Sequence, residues 1–294
     1  MKKNILGILL CFSILLGCTN DNAFVKHDVA ISSDSERIAY TVYGTRETAL
    51  IFIHGWSCDS RYWQNQTSAF SKDYMVITID LAGHGNSSSN RTDYTMLSFA
   101  NDVNAVIDRE GINRAILIGH SMGGGVIAKV SQLMPEKIIS IIGIDTFHDV
   151  GEKLPQEAID QMVKPFEDDF VSAVKNFVLG MFPKETDKKL IRWIKEDMSS
   201  APKNIALSAF SNYLERSVNG EASRVFKNIH IPVVSINAKL WPTNAEKNKN
   251  HINDYKLFYI EETGHFPMME KPEEFNKLLE EALEYIKAKN NENI

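Results

Sequence analysis

The sequence predicts an α/β protein: a central, mostly parallel sheet flanked by helices, with a helical insertion after the sixth strand. Three observations carry this reading. Short apolar runs of strand length alternate along the chain with longer helical patterns, the signature of a helix-covered parallel sheet. One run, Ala115-Ile116-Leu117-Ile118, passes straight into Gly119-His120-Ser121-Met122-Gly123, and a helical pattern follows from Gly124 to Leu133. The alternation breaks once, over residues 150–228, and then resumes. With 294 residues and 44% hydrophobic content, the chain can bury one large core with a subdomain.

The elements follow in order. Asp28 to Ile31 and Ile38 to Val42 read as an antiparallel hairpin at the sheet edge. Apolar runs at 49–53, 75–79, 115–119 and 138–144 are strands, separated by helices near 59–70, 95–109 and 122–134. In the insertion, Val163, Phe166, Phe170, Val174, Phe177 and Met181 recur every three or four positions, an amphipathic stripe expected to fasten the insertion to the core. Val233 to Asn237 and Lys256 to Ile260 resume the sheet. A helix over 272–289 ends it, with Pro272 suited to the first turn and Glu273 and Glu274 to the positive helix end. The core is thus assigned to 28–149 and 229–289, and the cap to 150–228.

Chemistry concentrates at the Ser121 turn. A sharp strand–turn–helix corner strains the backbone at Ser121, and side chains two positions either side would collide. Gly119 and Gly123 remove them and leave the hydroxyl projecting. Three further segments occur in a fixed order around it: His54-Gly55-Trp56 after one strand, Asp80-Leu81-Ala82-Gly83-His84-Gly85 after the next, and Gly264-His265-Phe266-Pro267 near the end. Together these motifs make the chain resemble the α/β-hydrolase superfamily, particularly its esterase-like and lipase-like members, over about residues 28 to 289. The resemblance implies that residues 150–228 form a lid over the carboxyl ends of the strands, where open α/β sheets receive ligands.

A serine hydroxyl needs a base to accept its proton. By resemblance that base is His265, in the loop after the last strand; His54 and His84 belong to structural motifs, and His120 should point away from the reacting centre. Negative charge developing on a carbonyl oxygen requires preorganised donors. The backbone N–H of Met122, at the helix N-terminus, is one; the resemblance makes the Trp56 N–H the other. The third triad member departs from the common pattern. Where many relatives carry an acid after the strand equivalent to 233–237, this chain reads Asn237-Ala238-Lys239-Leu240-Trp241-Pro242, with Trp241 in the expected slot. The strand before it ends in Asp145, and some superfamily members place their acid there. Asp145 is therefore the expected acid, with Asp149 and an acid-free site as alternatives; a helix N-cap is the other use for Asp145.

Ser121 argues against the aspartate-nucleophile haloalkane dehalogenases and epoxide hydrolases of this fold. Carboxylester hydrolysis on a small-molecule ester is the expected function. Thioesterase, C–C hydrolase, acyltransferase and cofactor-free haloperoxidase chemistry share the triad, and a catalytically silent binding lipoprotein is the reading from another class. A Phe- and Met-rich cap suggests a covered apolar pocket. No cofactor is implied, and no histidine pair has zinc-ligand spacing. A net charge of −6 offers no basic surface for nucleic acid.

The first residues read as a targeting segment. Lys2 and Lys3 precede an apolar stretch from Ile5 to Leu16, shorter than the roughly 20 residues that span a bilayer. Its end, Leu15-Leu16-Gly17-Cys18, resembles a bacterial lipobox, which implies a signal peptide over 1–17, lipidation of Cys18, a tether over 18–27, and an exported protein anchored to a bacterial membrane. An ordinary signal or an uncleaved anchor is the alternative. Cys11 lies within the signal, which leaves Cys58 as a single cysteine in the folded domain, expected to be half-buried and structural.

Overall fold

The computed structural model describes residues 24–290. The segment from Ile5 to Leu16, Cys11 and Cys18 lie outside the described residues. Among the described residues no helix is long and apolar enough to cross a membrane.

Eight strands form one sheet: β1 (Val25–Ile31), β2 (Arg37–Tyr43), β3 (Ala49–Ile53), β4 (Met75–Ile79), β5 (Ala115–His120), β6 (Ile138–Ile144), β7 (Val233–Ala238) and β8 (Tyr255–Ile260). Their spatial order is β1-β2-β4-β3-β5-β6-β7-β8. β2 runs antiparallel to both neighbours, and every other pairing is parallel. Burial explains the composition. β3 and β5 are buried at every position, so both faces are apolar, whereas β1 at the edge alternates with exposed positions. β1 starts earlier than its apolar pattern suggests: Val25 already pairs with Tyr43, because ladder hydrogen bonds extend the strand through Lys26 and His27. Residues 25–27 thus belong to the sheet rather than to a tether.

Helices α1 (Gln64–Phe70), α2 (Met96–Arg109) and α3 (Met122–Leu133) connect the first strands, and a 3-10 turn (Ser60–Trp63) precedes α1. Between β6 and β7 the chain forms α4 (Gln156–Asp168), α5 (Phe170–Leu179), α6 (Lys188–Ser199), α7 (Lys203–Val218) and the short α8 (Glu221–Arg224). Asp169 and Asp187 cap α5 and α6 by accepting from backbone N–H groups of their first turns. The chain closes through α9 (Ala245–Lys249), α10 (Pro267–Glu270) and α11 (Pro272–Asn290).

The register brings the functional loops together. Ile53 pairs with Gly119, His120 with Ile144, and Ile144 with Ile236. The carboxyl ends of β3, β5, β6 and β7 therefore lie side by side, each emptying into a loop at the same edge. The inserted helices are tied to that edge by specific bonds. Trp56 Nε1 donates to the Ala206 carbonyl of α7 at 2.7 Å, and the Tyr62 hydroxyl donates to Asp197 of α6 at 3.0 Å. Arg61 adds an ion pair to the same carboxylate.

Candidate active site

Ser121 occupies φ 52°, ψ −117°, a conformation that a non-glycine residue adopts only when its surroundings enforce it. Two backbone hydrogen bonds and the helix that follows do so. Ser121 N–H donates to Ile144 O at 3.0 Å, its carbonyl accepts from Gly124 at 2.9 Å, and α3 starts at once. A Cβ at Gly119 would lie 2.5 Å from Gly123 O, and one at Gly123 would lie 2.7 Å from the carbonyls of Ile53 and His54. The glycines are thus required by backbone-on-backbone approach, and the strain aims Ser121 into a cavity it shares with His265 and Asp145.

His265 is held at three of its four polar groups. Its Nδ1–H donates to Asp145 Oδ2 at 2.6 Å, leaving the Nε2 lone pair free to accept a proton. Its backbone N–H donates to Met181 O at 2.8 Å, and its carbonyl accepts from His120 Nε2 at 2.7 Å. The Met181 carbonyl comes so close that a Cβ at Gly264 would lie 2.1 Å from it, which explains the glycine before the histidine. Glu270 completes the loop, its carboxylate accepting from Gly264 N–H at 2.9 Å and Phe266 N–H at 3.2 Å. Burial pushes the Glu270 carboxyl up, and those hydrogen bonds oppose the shift. Among the described residues Ser121 and His265 make no direct hydrogen bond; such contacts often tighten only when substrate binds.

Asp145 is fully buried at the end of β6, with positive φ (44°). Its second oxygen accepts from Ala238 N–H at 2.9 Å, so both carboxylate oxygens are fixed. Asn237 clamps the next residue: its amide accepts from Thr146 N–H at 3.2 Å and donates to Thr146 O at 3.0 Å. Asp149 lies elsewhere. It accepts from Gly151 N–H at 3.1 Å and pairs with Lys247 at 2.9 Å, bracing the start of α9 rather than meeting a histidine. Trp241, in the slot where relatives carry the acid, sets its ring 5.0 Å from that of His265 and edge-on to His148 at 6.0 Å.

The other candidates separate by environment. His120 is buried 4.6 Å from the His265 ring; burial, then the neighbouring imidazole, push its pKa well down, so it serves as a neutral donor. His54 Nε2 accepts from Leu81 N–H at 3.1 Å, and His84 Nδ1 donates to Ala82 O at 3.0 Å. Burial lowers both, His84 to about 3. Cys58 is buried rather than half-buried because its loop folds under the cap, and burial raises its thiol well above the ordinary range, which disfavours the thiolate. Two backbone donors face no competition: no turn or loop carbonyl among the described residues accepts from Trp56 or Met122 N–H.

The cavity measures about 200 Å³ and is mostly apolar. Trp56 forms one wall, its ring 4.9 Å from Phe210 and 6.1 Å from Phe177. The amphipathic stripe divides along its length. Val163, Phe166, Phe170 and Val174 are buried between cap and core, whereas Phe177 and Met181 line the cavity. Met162, Tyr213 and Leu214 also line it and carried no signal in the sequence, because helical periodicity shows which face is apolar but not what that face meets. Glu270, Asn237 and the Met181 carbonyl were likewise not legible as supports. Glu270 at least stands out as an acid within an apolar segment after His265.

Similarity to known proteins agrees with this architecture. A family model described as alpha/beta hydrolase fold matches residues 48–272. The dihydrolipoyllysine-residue acetyltransferase component of the acetoin cleaving system of Cupriavidus necator is 34% identical over 108 residues, 37% of this chain and 29% of its own. A non-heme chloroperoxidase of Streptomyces lividans is 33% identical over 140 residues, 44% of this chain and 51% of its own. The chain thus spans about half or less of the length of these curated relatives. A thermophilic esterase from Thermogutta terrifontis superposes with a TM-score of 0.76 at 20% identity, covering 89% of this chain and 99% of the esterase, a likeness of fold. With its eight-stranded, mostly parallel sheet, its serine turn and a family match over most of its length, the chain belongs to the alpha/beta hydrolase fold family.

Proposed function

We propose that the protein is a serine hydrolase that cleaves small carboxylic esters through an acyl-enzyme, with Ser121 as nucleophile, His265 as base and Asp145 as acid. The observation that carries this reading is the 2.6 Å bond from His265 Nδ1 to a buried Asp145, in a cavity that also receives Ser121 from a strained turn. Ser121 Oγ attacks the ester carbonyl as His265 Nε2 takes its proton. The Asp145 carboxylate stabilises the imidazolium, and the N–H groups of Met122 and Trp56 meet the oxyanion. His265 returns the proton to the departing alcohol; water then repeats the sequence and frees the acid. The cavity volume of about 200 Å³ lies below the roughly 300 Å³ where drug-sized pockets begin, which favours short acyl groups.

The test is a series of p-nitrophenyl esters of increasing acyl length with thioester and amide counterparts. The expected result is a kcat/KM maximum at short acyl chains and loss of turnover in Ser121→Ala. Equal or better turnover of thioesters would move the substrate class. The likeness to the chloroperoxidase favours a second reading, halide oxidation by peroxide through the same triad. Halogenation of monochlorodimedone with peroxide, at a rate exceeding ester turnover, would select it.

We also propose that the chain is exported and lipid-anchored through Cys18, on the strength of Leu15-Leu16-Gly17-Cys18 after a short apolar stretch. Radiolabelled palmitate should enter the wild type and not Cys18→Ser. Failure to label the wild type rejects the anchor.

A further inference from the structure

A second pocket, away from the serine, lies between the start of α2, the middle of α3 and the end of α7. It measures about 260 Å³, and Arg216 projects into it beside Thr95, Lys129, Asn212 and Asn219. Arg216 is only 8% exposed, yet among the described residues it has no ion pair and no hydrogen bond. The ring of Tyr213 lies 5.4 Å from the guanidinium carbon, and the carboxylate of Glu221 acts on it only through space. A largely buried cation that no carboxylate meets directly is costly, and its lack of a hydrogen-bond partner calls for a reason.

The surroundings are shaped to accept this guanidinium. A Cβ at Gly125 would lie 2.4 Å from Arg216 Nη1 and 3.0 Å from its Cζ, so the third glycine of Gly123-Gly124-Gly125 clears the space. That glycine has no part in the serine turn. Among the described residues neither carboxylate of the pocket forms an ion pair with Arg216. Glu221 favours the charged guanidinium through space but pairs with Lys129 at 3.2 Å, and Glu215 lines the pocket without such a pair. Lys129 and Arg216 therefore face the pocket with one carboxylate already spent on the lysine. Of the neighbouring neutral groups, the Asn219 amide N–H is suited to complete an anion's shell, whereas the Asn212 amide donates to Asp93 and the Ser208 carbonyl and the Thr95 hydroxyl is bonded to Ser98.

We propose that this pocket binds a small oxyanion, a carboxylate or a phosphate, whose oxygens pair with the Arg216 guanidinium. The planar fork of an arginine matches such groups with two parallel hydrogen bonds. Bound there, the anion supplies the direct ion pair that Arg216 lacks and ties α3, which begins beside Ser121, to α7, which contributes Tyr213 and Leu214 to the Ser121 cavity. The inference does not depend on whether Ser121 is a nucleophile.

The experiment compares the thermal midpoints of wild type and Arg216→Met while inorganic phosphate or acetate replaces chloride at constant ionic strength. Binding to the native state raises the midpoint with the logarithm of anion concentration above the dissociation constant. In chloride alone Arg216→Met should be at least as stable as wild type, because it removes a buried charge that makes no ion pair. With rising phosphate or acetate the wild type should overtake it, so that the two curves cross. The arm that produces the crossing at lower concentration identifies the preferred anion. Parallel curves, or a variant less stable by the same margin at every concentration, would overturn the proposal and leave Arg216 as a packing residue. Should Arg216→Met fail to fold, phosphorus NMR of the wild type titrated with phosphate, and equilibrium dialysis with labelled acetate, decide the matter. Saturable binding lost in the conservative Arg216→Lys supports the site, and no saturable binding of either anion rejects it.

Discussion

The carboxyl ends of β6 and β7 stand side by side against the same histidine, and they present opposite chemistry. β6 ends in Asp145, buried and bonded through one oxygen to His265 and through the other to the Ala238 N–H. β7 leads to Trp241, whose indole lies tilted against His265 with ring centres 5.0 Å apart. What an imidazole base requires is a carboxylate at its Nδ1, and adjacent parallel strands give two places from which to deliver one. The second place, freed of that task, becomes an apolar wall of the cavity. β7 still supports Asp145, because Asn237 clamps Thr146 and Ala238 supplies the second hydrogen bond.

Predictions that break this comparison come in order of size. Ser121→Ala and His265→Ala should each remove nearly all of kcat, on the order of 10⁶, and the double variant should lose little more, since the two act as one unit. Stopped assays on purified, folded variants would show multiplicative losses if the two did not share a proton transfer. Asp145→Asn keeps the shape of the β6 end and removes its charge, so kcat should fall by about 10³–10⁴ with the fold retained by circular dichroism. Adding Trp241→Asp to Asp145→Asn should restore about tenfold or more of that loss; no recovery would mean that the β7 end no longer reaches Nδ1 productively. The smallest effect belongs to Asp149→Asn; the carboxylate it removes bonds, among the described residues, to Gly151, Asn244 and Lys247, and its loss should cost less than about tenfold in kcat, or ~1.4 kcal/mol of barrier.

The parts of the molecule differ in how far the sequence exposes them. The central strands were legible because β3 and β5 are buried on both faces and so read as unbroken apolar runs. The serine turn was legible because its constraint is local, a backbone corner that tolerates only glycine two residues away on either side. Chain order pointed to Asp145, and the structure brings it to His265, while Asp149 is drawn off by Lys247. The cap was legible as helices but not as a cavity lining. Phe166 and Phe177 sit on one stripe and both pack on Trp56 and Phe210, yet Phe166 is buried while Phe177 reaches the cavity; only tertiary placement separates them. The supports of His265 are harder still, because a carbonyl such as that of Met181 has no side-chain signature at all.

The most direct test of the account is the rate at which a fluorophosphonate labels the protein, followed by intact mass and peptide mapping, in wild type, Asp145→Asn and Asp149→Asn. The account predicts one label per chain at Ser121, slowed by about 10³ or more in Asp145→Asn and nearly unchanged in Asp149→Asn. An unlabelled wild type, or labelling that Asp145→Asn leaves as fast as before, would contradict it.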